Sequence, residues 1–180
     1  TKQYGGNDFD SLKASEEFKF QEPELSINRS AEIDGQEVTD DINNIVAAGT
    51  VINHTITVAN ENGVQYSPAY QTKIVETIPE GFRDNAGDIS DTVEITKNGI
   101  VLTEGTDFNV SYDSGELTIT FENNVDGTLE PGENFTITFN SKANSAGKIE
   151  SGAEYTFSSV IQEYYSLENN TDSVENYPDP

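Results

Sequence analysis

Aspartate is the residue type best placed to do chemistry in this sequence, and it is concentrated in two segments. The candidate ligands are Asp84, Asp88 and Asp91 in one segment and Asp40 and Asp41 in the other. Ca²⁺ takes roughly six to eight hard oxygen ligands, which carboxylates, asparagine and backbone carbonyls supply. Neither segment has the EF-hand spacing or a glycine-rich repeat. The sequence predicts Ca²⁺ as a cofactor at these aspartates, with solvated surface charge as the alternative interpretation.

The overall charge limits the partners that the chain can take. It has 33 Asp and Glu residues against 9 Lys and Arg residues, a net charge of −24. Such an excess repels itself in the compact state unless salt or bound cations offset it. It excludes nucleic acid as a partner, because phosphate binding needs basic residues. A salty habitat and divalent cations supplied from outside remain as explanations, and both predict an extracellular protein.

One histidine and no cysteine leave little material for catalysis. Thiol chemistry and disulfides are excluded, and a lone imidazole is a weak basis for a Ser/His/Asp triad or a transition-metal site. His54 shares its alternation with Ile52 and Ile56, which predicts a packed histidine within a strand. Paired carboxylates could hydrolyse glycosides, but so many acids form pairs by chance. We predict a non-catalytic protein, with a carbohydrate-active enzyme as a distant alternative.

The elements that would position these residues are short strands separated by turns. Apolar and polar residues alternate with period two, and Asn98-Gly99 between apolar runs indicates a tight hairpin. The predicted strands are 24–29, 51–58, 70–78, 93–96, 100–102, 108–112, 117–121, 135–139 and 155–165. The pattern predicts an all-β fold, an antiparallel immunoglobulin-like β-sandwich with Greek-key connections and about seven to nine strands. The predicted core consists of Leu25, Ile27, Ile52, Ile56, Val58, Ile74, Leu117, Ile119, Phe121, Phe135, Ile137, Phe139 and Tyr155.

Composition divides the chain into three parts. Residues 1–22 are a lead-in segment or the end of a preceding module, 23–167 form the sandwich, and 168–180 form an acidic exit linker. The first residue is Thr1, and no apolar run reaches the length of a membrane span. We therefore expect a monomeric piece of a longer polypeptide. Its expected partners are neighbouring domains of the same parent chain, without direct membrane insertion.

Several segments resemble a known group of domains. Residues 49–60, 69–81 and 129–137 are similar to the strand and turn motifs of tandem Ig-like repeat domains in giant bacterial surface proteins and adhesins. The hairpin region 98–121 resembles fimbrial isopeptide-forming domains. The resemblance covers residues 23–167. It implies a β-sandwich at the bacterial cell surface that acts as a repeat, stalk or adhesive module, in some relatives with calcium.

The resemblance also raises one covalent chemistry. Fimbrial relatives join a lysine on the first strand to an asparagine on the last, and a buried acid promotes the condensation. Here Arg29 stands where the family usually has lysine, and a guanidinium keeps its proton and is a poor nucleophile. Lys73 with Glu76 is a conceivable substitute pair, but we expect both to be surface residues of a strand. We therefore expect no isopeptide bond.

These expectations leave two classes of function beside the distant enzyme alternative. The first is a stalk or adhesive module of a large secreted surface protein. The second is a ligand-binding adhesin tip that recognises a sugar, a peptide or a host, cell or abiotic surface. A tip should present a cluster of exposed aromatic side chains, for which the candidates are Tyr66, Tyr70, Tyr164 and Tyr165.

Overall fold

A computed structural model describes residues 22–39, 46–83, 89–143 and 154–167 of the chain. These residues form ten strands and two single 3₁₀ turns, at Glu80–Phe82 and Ser90–Thr92. The strands are β1 Leu25–Ile33, β2 Gln36–Glu37, β3 Val51–Asn60, β4 Tyr70–Thr77, β5 Glu94–Lys97, β6 Ile100–Val101, β7 Phe108–Asp113, β8 Glu116–Phe121, β9 Asn134–Lys142 and β10 Ser158–Tyr165. No helix in the described part of the chain is long and apolar enough to cross a membrane.

The strands form two antiparallel sheets that pack face to face. The larger sheet, which we call the β1 sheet, has the order β2-β1-β3-β9-β5-β6. The smaller one, the β4 sheet, has the order β10-β4-β8-β7. The predicted all-β sandwich is therefore confirmed.

Alternation along the strands explains why the sheets pack. In β3, Ile52, His54, Ile56 and Val58 are buried, whereas the residues that alternate with them are exposed or half-buried, because successive side chains point to opposite faces. Ten of the predicted core residues are buried, and the other three are partly buried at its margin. Those three are Leu25, Ile27 and Tyr155.

The Asn-Gly hairpin forms as predicted between β5 and β6. Asn98 has a φ of 49° and Gly99 a φ of 82°, the pair of positive φ values that a type I′ turn requires. β1 is longer than predicted and continues to Ile33, where Ser30 to Glu32 still pair with β3. The two-residue strand β2, which pairs with the end of β1, had no sequence signal of its own.

Pairing defines two ends of the sandwich. Leu25 of β1 lies opposite Asn60, and Tyr165 of β10 lies opposite Tyr70. This end, where β1 begins and β10 finishes, is the proximal pole. At the opposite end, the distal pole, β1 and β4 finish and β10 begins, with Ser158 opposite Thr77.

Candidate functional site: a charged cluster between the sheets

The predicted calcium ligands fall largely outside the described residues. Four of them lie outside the part of the chain that the structure describes: Asp84, Asp88, Asp40 and Asp41. The fifth, Asp91, is an exposed residue of the 3₁₀ turn Ser90–Thr92. Among the described residues, no group of three or more acidic or histidine side chains is arranged to hold a metal ion. The calcium site therefore stays a prediction.

The structure instead places a charged cluster between the two sheets, centred on Glu76. The expectation that Glu76 is a surface residue was wrong, because its exposed fraction is 0%. It shares the inward face of β4 with Ile74. Lys73, three positions away, lies on the outer face opposite Thr120 and Glu163, because an odd spacing along a strand reverses the face. Lys73 and Glu76 therefore do not form the substitute pair.

Arg29 is the cationic partner of Glu76, and it comes from the other sheet. Its Nη2 and Nε atoms lie 3.1 Å and 3.3 Å from Glu76 Oε1. Arg29 belongs to β1 and Glu76 to β4, so this ion pair bridges the two sheets of the sandwich. The Arg29 side chain is 23% exposed, and the Glu76 side chain is fully buried. A guanidinium suits this position because it stays charged and offers a planar set of donors.

His54 of β3 forms a hydrogen bond with Arg29. Its Nδ1 atom lies 2.7 Å from Arg29 Nη2, and its Nε2 atom lies 2.7 Å from the hydroxyl of Ser141 on β9. Because a guanidinium has only donors, Nδ1 must accept, and Nε2 carries the proton and donates it to Ser141. The prediction of a packed histidine is confirmed, since His54 is 1% exposed.

The second oxygen of Glu76 and the aromatic rings close the cluster. Ser159 of β10 donates its hydroxyl proton to Glu76 Oε2. The centre of the Phe157 ring lies 4.9 Å from the guanidinium carbon of Arg29 and 4.6 Å from the centre of the His54 ring. Phe139 also stacks on His54, at 4.6 Å between ring centres. Phe157 covers part of the guanidinium, and Glu76 itself is shielded from water, which strengthens the electrostatic attraction of the pair.

Burial sets the protonation states of the cluster. It lowers the pKa of His54 from 6.5 to about 3, and the positive charge of Arg29 adds to this effect. Burial also raises the pKa of Glu76, although the hydrogen bond from Ser159 and the charge and hydrogen bonds of Arg29 act in the opposite direction. Burial therefore favours the neutral form of the His54 imidazole and opposes ionisation of the Glu76 carboxyl.

The polar side chains of this arrangement are engaged with one another. Arg29 is a poor nucleophile, and Glu76 is already engaged by Arg29 and Ser159. The other buried carboxylate of the described residues, Asp107, accepts a hydrogen bond from the Thr103 amide at 2.7 Å. Its ion pair and hydrogen bonds join β1, β4 and β10.

The tyrosines considered for a tip lie at the proximal pole. Tyr70 is opposite Tyr165, and Tyr66 forms a bridge with Glu22. Burial, with the charges of Glu22 and Glu24, raises the pKa of Tyr164. All four tyrosines are half-buried and lie at the pole where β1 begins and β10 ends.

Sequence analysis missed Lys97, a buried cation. Lys97 is 9% exposed and donates from Nζ to the carbonyls of Val125 and Thr128, at 2.9 Å and 2.6 Å. The same atom lies 2.8 Å from Glu133 Oε2. Lys97 thus holds the connection between β8 and β9. Its inward parity with Ile95 on β5 was the available signal.

Comparison with known proteins relates this fold to pilus subunits. No protein-family model and no curated protein matches the sequence. The pilus backbone protein RrgB of Streptococcus pneumoniae is similar in structure, with a TM-score of 0.54 and 16% identity over 77% of this chain and 52% of that chain. BcpA, the major pilin subunit of Bacillus cereus, gives a TM-score of 0.50 and 13% identity over 82% of this chain and 36% of that chain.

The chain thus spans about half of the RrgB chain and about a third of the BcpA chain. At identities this low, the structural similarity establishes a shared fold only. Together with the sheet order, it shows that the described part of this chain is a β-sandwich of the kind found in pilin subunits.

Proposed function

We propose that this chain is a non-catalytic stalk or adhesive module of a large secreted protein at the bacterial cell surface. The fold shared with RrgB and BcpA, which are named as pilus backbone and major pilin, supports this function. The net charge of −24 and the absence of cysteine agree with an extracellular, disulfide-free module. Neighbouring domains of the parent chain are its proposed partners, and the tandem arrangement seen in giant adhesins is its proposed setting.

One observation carries the proposal: the Arg29–Glu76 ion pair that crosses from sheet to sheet. A stalk module has to keep its two sheets together under load and in the presence of proteases. The resemblance to fimbrial domains implies a covalent bond for this purpose. In this chain the guanidinium, the carboxylate and the Ser159 hydroxyl occupy the first strand, the buried acid position and the last strand. We infer that the cluster replaces the covalent bond.

The tip function remains as the second candidate and is less well supported. Its four tyrosines are half-buried, and they lie at the pole through which the chain enters and leaves the sandwich. A neighbouring module attached there would compete with a ligand for the same surface. Binding of the chain to a glycan array, lost when Tyr66 and Tyr164 are replaced by alanine, would favour the tip over the stalk.

Native-state proteolysis tests the proposed function. Cleavage of a folded domain follows the population of its open form, so a cluster that holds the sheets together should protect the chain. We expect Arg29→Gln to be digested by a broad-specificity protease at least tenfold faster than the wild type, because Glu76 is then buried without its cation. The digestion is followed by mass spectrometry of the intact chain.

The matched control is Glu32→Gln, which removes an exposed carboxylate from the same strand. Its digestion rate should stay within about twofold of the wild type, as is usual for surface substitutions. Equal digestion of Arg29→Gln and Glu32→Gln would contradict a protective role for the cluster and remove the main support for the stalk function.

A further inference from the structure

The path of the chain determines where tension on its flanks acts. β1 begins at Leu25 and β10 finishes at Tyr165, both at the proximal pole. β1 runs from the proximal to the distal pole, and β10 runs back. Any force transmitted through residue 22 and residue 167 therefore pulls at one end of the sandwich, and it separates strand pairs one after another instead of loading them together.

The two terminal strands differ in how they meet this peeling, and β10 resists it weakly at first. In β10, the register shifts between Ile161 and Glu163 and again between Glu163 and Tyr165, so its irregular part lies next to the proximal pole. Its regular pairing with β4 covers only Ser158 to Ile161. The start of β1 is held by its ladder with β3 and by a 3.2 Å hydrogen bond from the Glu24 amide to Asn60.

The charged cluster lies on both peeling paths. Four residues of β1 precede Arg29 on the proximal side, and Ser159 is the second residue of β10, near the distal pole. Both side chains bind the same carboxylate, that of Glu76. Glu76 belongs to β4, which is itself held between β10 and β8. When either terminal strand peels from the proximal pole, the separation therefore arrives at a side chain that is bonded to Glu76 in the interior.

We propose that the Arg29–Glu76–Ser159 cluster is a mechanical stop. Tension applied at the proximal pole first releases the parts of β1 and β10 that lie on the proximal side of the cluster, and the peeling then halts at the cluster. This inference rests on the proposed load-bearing function and adds the mode of loading. The module would lengthen by a limited, reversible step while its two sheets stay together. Residues 22–28 and 160–167 form the released part, about fifteen residues or roughly 50 Å of extended chain.

Single-molecule pulling tests the stop, and the absence of cysteine makes the attachment simple. Handles on Glu22→Cys and Leu167→Cys of the full chain apply force at the proximal pole. We expect two events: a low-force extension of at most roughly 50 Å, and then unfolding of the rest at higher force. Handles on Glu22→Cys and Asp113→Cys instead apply force between the two poles. This force loads all residue pairs of the β1–β3 ladder at the same time, so the short first event should disappear.

Variants locate the stop. With the proximal handles, Arg29→Gln combined with Ser159→Ala should remove the pause, so that the two events merge. The matched control combines Glu32→Gln with Ser158→Ala, two exposed neighbours on the same strands, and should keep both events.

A single event in the wild type, or two events that survive Arg29→Gln with Ser159→Ala, would overturn the stop. If Arg29→Gln still accelerates proteolysis, such a result refutes the stop and leaves the proposed stalk function standing. If substitutions in the cluster change neither the proteolysis rate nor the pulling record, both the mechanical stop and the stalk function are refuted.

Discussion

His54 accepts a hydrogen bond from Arg29, with its Nδ1 atom 2.7 Å from Nη2 of the guanidinium. Protonation of the imidazole would turn this acceptor into a donor that faces another donor. It would also bring a second positive charge against Arg29 in a buried site. The contact therefore requires a neutral histidine, in agreement with the lowering of the His54 pKa to about 3.

This requirement predicts a loss of stability in acid. The unfolded chain binds a proton at His54 below pH 6.5, and the folded chain does so only near pH 3. The contribution of His54 to stability is thus complete above pH 6.5 and is lost as the pH falls towards 3. Between pH 7 and pH 4, wild type should lose about 3 kcal/mol more than His54→Gln, at roughly 1.4 kcal/mol per pKa unit.

Urea unfolding of both proteins at each pH measures this difference. Glu76 has a raised pKa, so it gains stability as the pH falls through its folded value, but it is present in both proteins and its contribution cancels. The same reasoning applies to the surface acids. Parallel pH profiles for wild type and His54→Gln would contradict the neutral, buried imidazole.

A double substitution tests whether the cluster occupies the site of the covalent bond that the fimbrial resemblance implies. Arg29→Lys with Ser159→Asn places an amine and a carboxamide on the two sides of Glu76. Attack of the lysine nitrogen on the carboxamide carbon forms an amide and releases ammonia, and Glu76 can shuttle the proton because its pKa is raised. We expect intact-mass spectrometry to show the loss of one ammonia.

The control for this chemistry is the same double variant with Glu76→Gln, which should keep its full mass. If the double variant with Glu76 present also keeps its full mass in the folded state, the three positions are not equivalent to those of the fimbrial relatives.

Lys97 should stabilise the connection between β8 and β9. Lys97→Met removes the donor to the carbonyls of Val125 and Thr128, at an expected cost of about 2 kcal/mol, because hydrogen bonds from charged groups contribute more than neutral ones. Hydrogen exchange of the amides in 122–133 should accelerate. Lys73→Met, on the outer face of β4, serves as the comparison, and equal exchange in both variants would refute the anchoring role.

The calcium prediction has a direct thermal test. Binding only to the folded state adds about 2.7 kcal/mol at a hundredfold excess over Kd, which raises Tm by roughly 2–4 °C per kcal/mol at this size. We expect millimolar CaCl₂ to raise Tm by several degrees over NaCl at equal ionic strength, and Asp88→Ala to abolish the rise. A shift below about 1 °C leaves solvated charge as the explanation of the acidic segments.

The sequence predicted the strands well because alternation and turn chemistry are local properties. It could not show that Arg29 meets Glu76, since these residues are 47 positions apart and meet only when the two sheets pack. A weaker signal existed. Arg29 follows the inward alternation of Leu25 and Ile27, and Glu76 follows that of Ile74, so a charged residue on a buried face marked each strand. The acidic segments have no such periodicity, so the sequence offers no comparable signal for them.

The central claim is that Arg29 and Glu76 stabilise the sandwich as a pair that crosses the sheets. A double-mutant cycle with Arg29→Gln, Glu76→Gln and the combined variant, measured by urea unfolding at pH 7, isolates the interaction. Arg29→Gln should cost about 3–5 kcal/mol, because it leaves a buried carboxylate without its cation.

The combined variant should be more stable than the sum of the two single effects predicts, by about 1–3 kcal/mol, since neither uncompensated charge remains. Effects that add to within about 0.5 kcal/mol would contradict the account, because the two side chains would then act independently and the sheets would be held together by the apolar core alone.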